Sequence, residues 1–214
     1  MLDRKYLRDV PLPEDLTNEQ LFLAMEETQK FFVTIKNQAG VNLPSIIQSN
    51  NFSGVVSNVF TNKLDGVSPY KAYHDQKYPD LKHFPKGIGL EVKATNKPWK
   101  GGEGHNGHSG WHIIVVYKLD EDKNIEIIQL EIADLIGYEQ LHSDWNYNGS
   151  KRNENQSQRT ETYTTNAIGT AKLRDGTVYL NYNEIPVSSQ MTKARQKLEI
   201  PVPEFSPFYL KRLI

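Results

Sequence analysis

The residues Trp111 to Leu119, WHIIVVYKL, form an almost unbroken apolar run. A strand that alternates has one wet face; a run without alternation reads as a strand covered on both faces, hence a central one. After the turn EDKN, Ile125 to Ile132 (IEIIQLEI) does alternate and predicts a neighbouring strand. A third strand is expected over Ile88 to Ala94.

Helices are expected ahead of these strands. Thr17 or Asn18 can cap a helix with Gln20 to Lys36 as its body. Leu21, Ala24, Met25, Thr28, Phe32 and Ile35 follow the 3.6-residue period as its inner stripe, with Glu19 and Glu26 on the other side. Gly40 and Pro44 punctuate, and a second helix is expected from about Asn51 to Leu64, with Phe52, Val55, Val56, Val59, Phe60 and Leu64 on one face. Further on, ADLIGYEQL reads as a short helix, Tyr147 to Thr165 as a long polar loop, TAKLRDGTVYLNY as a hairpin turning at Asp175-Gly176, and the proline-broken tail as a packed arm. Helices, then a cluster of strands, then mixed elements make an α+β chain, or α/β with a mixed sheet.

With 214 residues the chain suits one domain with a core of its own. Its parts are a helical region (about 1–65), a sheet core (about 70–145), and a polar segment with a C-terminal arm (about 146–214). There are no cysteines, which excludes disulfides and thiolate metal sites. The first residues are charged with no apolar stretch after them, and no run has the length of a membrane span, so the expected place is the cytoplasm. The net charge of -1 hides an uneven distribution. Lys82, Lys86, Lys93, Lys97 and Lys100 crowd a stretch whose one acid is Glu91, while Asp120 to Asp144 is strongly acidic. One basic and one acidic face are expected.

The stretch YPDLKHFPKGIGLEVKAT, Tyr78 to Thr95, carries the chemistry. Glu91 and Lys93 are two apart on a strand, so both leave one face while Leu90 and Val92 turn to the core. Pro85-Lys86-Gly87 can reverse the chain, and the resulting hairpin brings Asp80 toward Glu91. Charges that interrupt an apolar strand are costly and need a reason. Two carboxylates and a lysine suit phosphodiester hydrolysis: carboxylate oxygens, with the Val92 carbonyl, hold Mg²⁺, and the lysine attends the water and the developing charge.

These residues resemble the PD-(D/E)xK nuclease motif in the form it takes in type II restriction endonucleases. The continuation GGEGHNGHSGWHIIVVYKL, and the later DW.Y.GS (from Asp144), SQRTETY and KLRDGTVYL, resemble restriction-enzyme-like proteins over about Phe52 to Tyr179. The resemblance implies an αβββαβ core with a mixed central sheet flanked by helices. It implies Asp80 and Glu91 as metal ligands, Lys93 as catalytic lysine, Mg²⁺ as cofactor, and a homodimer on double-stranded DNA. Relatives often add a helix acid; Glu19, Glu26, Glu27 and Asp65 are open for that position.

Two segments are candidate DNA contacts. In GGEGHNGHSGWH, glycines allow close backbone approach, and His105, Asn106, His108 and Ser109 could donate to phosphate or base edges, with Lys97 and Lys100 just before. A zinc site from His105, His108 and His112 is disfavoured, since no fourth ligand is at hand. In the polar segment Lys151, Arg152, Gln156, Gln158 and Arg159 have side chains that bind phosphates or read bases. The expected activity is Mg²⁺-dependent cleavage of duplex DNA at a short site, leaving 5′-phosphate and 3′-hydroxyl ends. A repair, nicking or junction nuclease of the same fold, or a non-catalytic DNA-binding module, is the alternative.

Overall fold

The structure is a computed structural model that describes residues 2–73, 78–101, 103–104, 107–149 and 162–209. Helix α1 spans Asn18–Ala39, longer at both ends than its apolar stripe. Thr17 caps it: its hydroxyl accepts from the Gln20 amide at 3.2 Å, and the Gln20 side chain accepts from the Thr17 amide at 2.9 Å. The two orphan amides at the helix start are thereby satisfied reciprocally. After a single turn, α2 (Leu43–Ile46), comes α3 (Ser49–Val67). Phe52, Val56, Phe60 and Leu64 are buried along α3, at the i, i+4 spacing of one helix face.

The strands are β1 (Lys71–Ala72), β2 (Leu81–His83), β3 (Ile88–Thr95), β4 (Glu103–Gly104), β5 (Gly110–Leu119), β6 (Ile125–Leu135), β7 (Trp145–Tyr147), β8 (Tyr163–Thr165) and β9 (Thr177–Leu180). Six form a mixed sheet in the order β1-β2-β3-β5-β6-β9, and β4-β8-β7 form a smaller one. In the large sheet β3 and β5 run parallel and the other neighbours antiparallel. The apolar run of β5 lies at the middle, buried from His112 to Tyr117.

Each face of the sheet has its own cover. Leu90, Val92, Ile113, Val115, Leu130 and Ile132 pack with the inner residues of α1 and α3. Ile114, Val116 and Ala133 pack on the opposite side with Trp99, Leu173, Ile185 and Phe208. Burying one such aliphatic or aromatic side chain contributes about 1.5–3 kcal/mol. The fold is therefore α+β, with helices flanking a mixed sheet.

Two expected elements are corrected. ADLIGYEQL is not a helix: Ala133–Leu135 finish β6, and a turn follows in which the Gln140 amide bonds the Gly137 carbonyl at 3.0 Å. TAKLRDGTVYLNY is not a hairpin: α4 (Ala167–Asp175) leads directly into β9. Asn166 starts α4 by accepting from the amides of Ile168 and Gly169, both at 2.9 Å. Gly176 is not a hairpin turn residue but a close contact, since a Cβ there would lie 1.8 Å from the Ile132 carbonyl oxygen. The polar loop is flanked by β7 and β8, which pair with each other. The arm contains a further helix, α5 (Ser189–Gln196), and beyond it Phe208 is buried against Trp99 at 5.4 Å between rings.

Candidate active site

The β2–β3 hairpin sets the site. Leu81 stands opposite Leu90, and both are buried on the α1/α3 side. One residue further along this register Asp80 falls opposite Glu91, on the other face. Its carboxylate oxygen Oδ2 accepts from the Val92 amide at 2.8 Å, and its carbonyl accepts from the Tyr73 amide at 2.9 Å. Gly89 makes the approach feasible, because a Cβ there would sit 2.5 Å from the Pro79 ring. Glu91 and Lys93 share the face of Asp80 and form an ion pair, with side chains 15% and 34% exposed. The three groups thus line a partly open spot on a face that is otherwise buried.

The electrostatics favour a cation. Burial, and next the charge of Glu91, raise the Asp80 carboxyl above the ordinary carboxylate range. The Val92 amide and Lys93 oppose this rise without cancelling it. Two carboxylates held this close repel each other, and a divalent cation between them relieves the repulsion.

An aromatic wall surrounds the carboxylates. The Tyr78 ring lies 4.1 Å from the His108 ring, and its hydroxyl donates to the Ser109 carbonyl. Burial, then the charges of Glu91, Asp134 and Asp80, push the Tyr78 hydroxyl up to about 12. On β5, His112 pairs in register with Glu91 and is buried. Trp145 packs against the His112 ring at 5.2 Å, and its indole N–H donates to the His108 carbonyl at 3.2 Å. Of the rings in this wall only His112 and His108 were singled out in the sequence, in other roles. Tyr78 adjoins the motif and could have been found there. Trp145 lies 54 positions beyond Glu91, and the sequence marks it only as part of the DW.Y.GS fragment, with no role.

The candidate DNA contacts fall in several places. Lys97 and Lys100 are exposed on the way out of β3. His108 and Ser109 are half-buried, and the Ser109 hydroxyl oxygen accepts from the Gly137 amide at 2.9 Å. His105, Asn106, Lys151, Arg152, Gln156, Gln158 and Arg159 lie outside the described residues. The helix acids are engaged elsewhere: Glu19 and Glu26 with Arg4, Glu27 with Lys30, Asp65 with Lys71. α1 and α3 also cover the face of the sheet opposite Asp80 and Glu91.

Among the described residues no three His, Asp or Glu side chains are grouped to hold a metal ion, so the chain offers the carboxylate pair and the Val92 carbonyl. Mg²⁺ fits such a set, because it is commonly held by one or two carboxylates and keeps waters on its remaining positions. No helix among the described residues is long and apolar enough to cross a membrane. No family model, curated protein or solved structure matches the chain.

Proposed function

We propose that the chain is a Mg²⁺-dependent endodeoxyribonuclease of the PD-(D/E)xK kind, acting on double-stranded DNA at a short specific site. The observation that carries this reading is the convergence of Asp80, Glu91 and Lys93 on one sheet face through the β2–β3 register. The αβββαβ core of such nucleases is part of the same proposal, supported by the mixed sheet with flanking helices.

Each residue has a task. Asp80 and Glu91 would hold the cation with the Val92 carbonyl. Bound there, Mg²⁺ supplies a more acidic water and neutralises charge on the scissile phosphate. The Val92 amide fixes the Asp80 carboxylate, so its other oxygen is directed without a search through rotamers. Lys93 holds the attacking water and faces the charge carried by the phosphoryl oxygens in the transition state. In-line attack breaks the bond to the 3′ oxygen and leaves 5′-phosphate and 3′-hydroxyl ends. Palindromic sites call for a two-fold homodimer.

The test uses phage DNA with Mg²⁺. The wild-type chain gives discrete bands, and Asp80→Ala, Glu91→Ala and Lys93→Ala each cut at least about a hundredfold more slowly while still shifting DNA on a gel. If all three variants cut like wild type, the assignment is wrong. Nicking confined to branched or mismatched DNA would favour a repair or junction nuclease.

A further inference from the structure

His112 has no task in the scheme above, yet its surroundings fix its chemistry. It sits on β5 directly beside Glu91 on β3, on the face of Asp80 and Lys93, and is 4% exposed. Its Nδ1 lies 2.8 Å from the Gly110 carbonyl oxygen. A carbonyl only accepts, so Nδ1 carries the hydrogen. In a neutral imidazole the lone pair then resides on Nε2. Burial favours the neutral ring. The ring is held between Trp145 at 5.2 Å and Tyr78 at 6.4 Å.

This places a fixed acceptor beside a cation. Lys93 stands one step along the same face, two residues past the Glu91 that pairs with His112, and its ammonium lies against the Glu91 carboxylate. Lys93 has three N–H donors, and one goes to Glu91. A carboxylate that also binds a cation is a poor anchor for a lysine, because both compete for the same oxygens. We propose that Nε2 of His112 is the second anchor of Lys93: the ammonium donates to Glu91 in this structure, and when a cation draws Glu91 away it turns an N–H to Nε2 and stays aimed across the site. His112 is thus a positioning residue that acts through Lys93 and touches neither DNA nor metal. The inference rests on the reading of Asp80, Glu91 and Lys93 as the reactive set.

Two variants separate positioning from packing. In His112→Asn the amide nitrogen takes the place of Nδ1 and still donates to Gly110, with nothing at the place of Nε2. In His112→Gln the amide reaches the place of Nε2 and offers an oxygen. On duplex DNA with Mg²⁺, His112→Asn lowers kcat about a hundredfold with KM and the Mg²⁺ requirement unchanged, and His112→Gln recovers most of the loss. A second measurement needs no cleavage: ¹⁵N spectra of the imidazole in metal-free Glu91→Gln, where the ammonium has lost the carboxylate that holds it. Lys93→Met shifts the Nε2 resonance and leaves Nδ1 in place. Wild-type kcat in His112→Asn, or an Nε2 resonance indifferent to Lys93→Met, overturns the proposal. Absence of cleavage by the wild-type chain sinks the nuclease reading, while the spectra still decide whether His112 holds Lys93. They decide it too where a His112 variant fails to fold.

Discussion

Two acid–base pairs lie on the same side of the central sheet, and they are built to opposite ends. Asp175, the last residue of α4, meets Arg195 of α5 with side chains 5% and 4% exposed. Arg195 donates to both Asp175 oxygens, at 2.6 Å for the shortest contact, and to the carbonyls of Ile200 and Pro201 at 3.0 and 2.7 Å. Ser206 adds a hydrogen bond to Asp175 at 2.7 Å. The pair ties α4, α5 and the tail together, and both charges are saturated with partners. Glu91 and Lys93, by contrast, share one contact, stand half open, and face a second acid whose carboxyl is raised by burial and by Glu91. A saturated pair is a clamp. An unsaturated set of like charges stores repulsion that a ligand can relieve, and that is the mark of a site.

Stability measurements should split the two pairs. Arg195→Met strands a buried carboxylate and should cost about 3–5 kcal/mol by chemical denaturation. Lys93→Met should stay within about 1 kcal/mol of wild type while abolishing cleavage. Equal losses in the two variants would erase the distinction between clamp and site.

Glu131 sharpens the contrast from within the same face. It is wholly buried, and burial pushes its carboxyl up to about 8, with the Arg174 charge only partly opposing. One oxygen accepts from Gln129 at 2.8 Å, while the other has no partner, which costs less for a neutral carboxyl than for a charged one. Gln129 in turn accepts from the Trp99 amide at 3.2 Å, and Arg174 donates to the Trp99 carbonyl at 2.8 Å. The group therefore holds the chain where it leaves β3. In the unfolded chain Glu131 loses its proton near pH 4.5, in the folded chain near 8. Between these values the folded state binds more protons, so Glu131 lowers stability as pH rises. Glu131→Gln has no such loss. Its advantage over wild type should grow from pH 5 to pH 8, reaching on the order of 3 kcal/mol by denaturant titration. A constant difference across that range would mean that Glu131 is already ionised at pH 5.

The local parts of this design were legible in the sequence, and the distant ones were not. The α1 stripe, the inward Leu90 and Val92, and the Asp80–Glu91–Lys93 set all follow from periods and a hairpin spanning fewer than twenty residues. α4 was misread for a physical reason. Its buried residues are Gly169, Ala171, Leu173 and Asp175, an alternation that mimics a strand because the helix is covered on several sides. The Asp-Gly pair after it completed the false hairpin signal. His112 sits beside Glu91 only because β3 and β5 pair in parallel across an intervening loop, and such a register has no local signature. The same holds for the Asp175–Arg195 clamp, whose partners belong to different helices.

The smallest effect is the most specific to a site. Asp80→Asn keeps the oxygen that accepts from the Val92 amide and removes the charge that Glu91 repels. A carboxyl raised on folding weakens the fold as pH climbs above its unfolded value of about 3.8, and the loss is complete once the pH passes the folded value. The amide has no charge to lose, so Asp80→Asn should match wild type in acid and exceed it at neutral pH. Asp175→Asn should go the other way, since there the charge is what Arg195 and Ser206 hold. Adding Mg²⁺ should then stabilise the wild-type chain and leave Asp80→Asn nearly unmoved, because relief of repulsion requires both carboxylates. A gain on mutation and a loss of response to the cation, both at Asp80 and neither at Asp175, would set the open pair apart from the closed one. If Asp80→Asn is instead destabilised, Asp80 is a structural cap on β3 and the repulsion between the two acids is not what shapes this corner of the sheet.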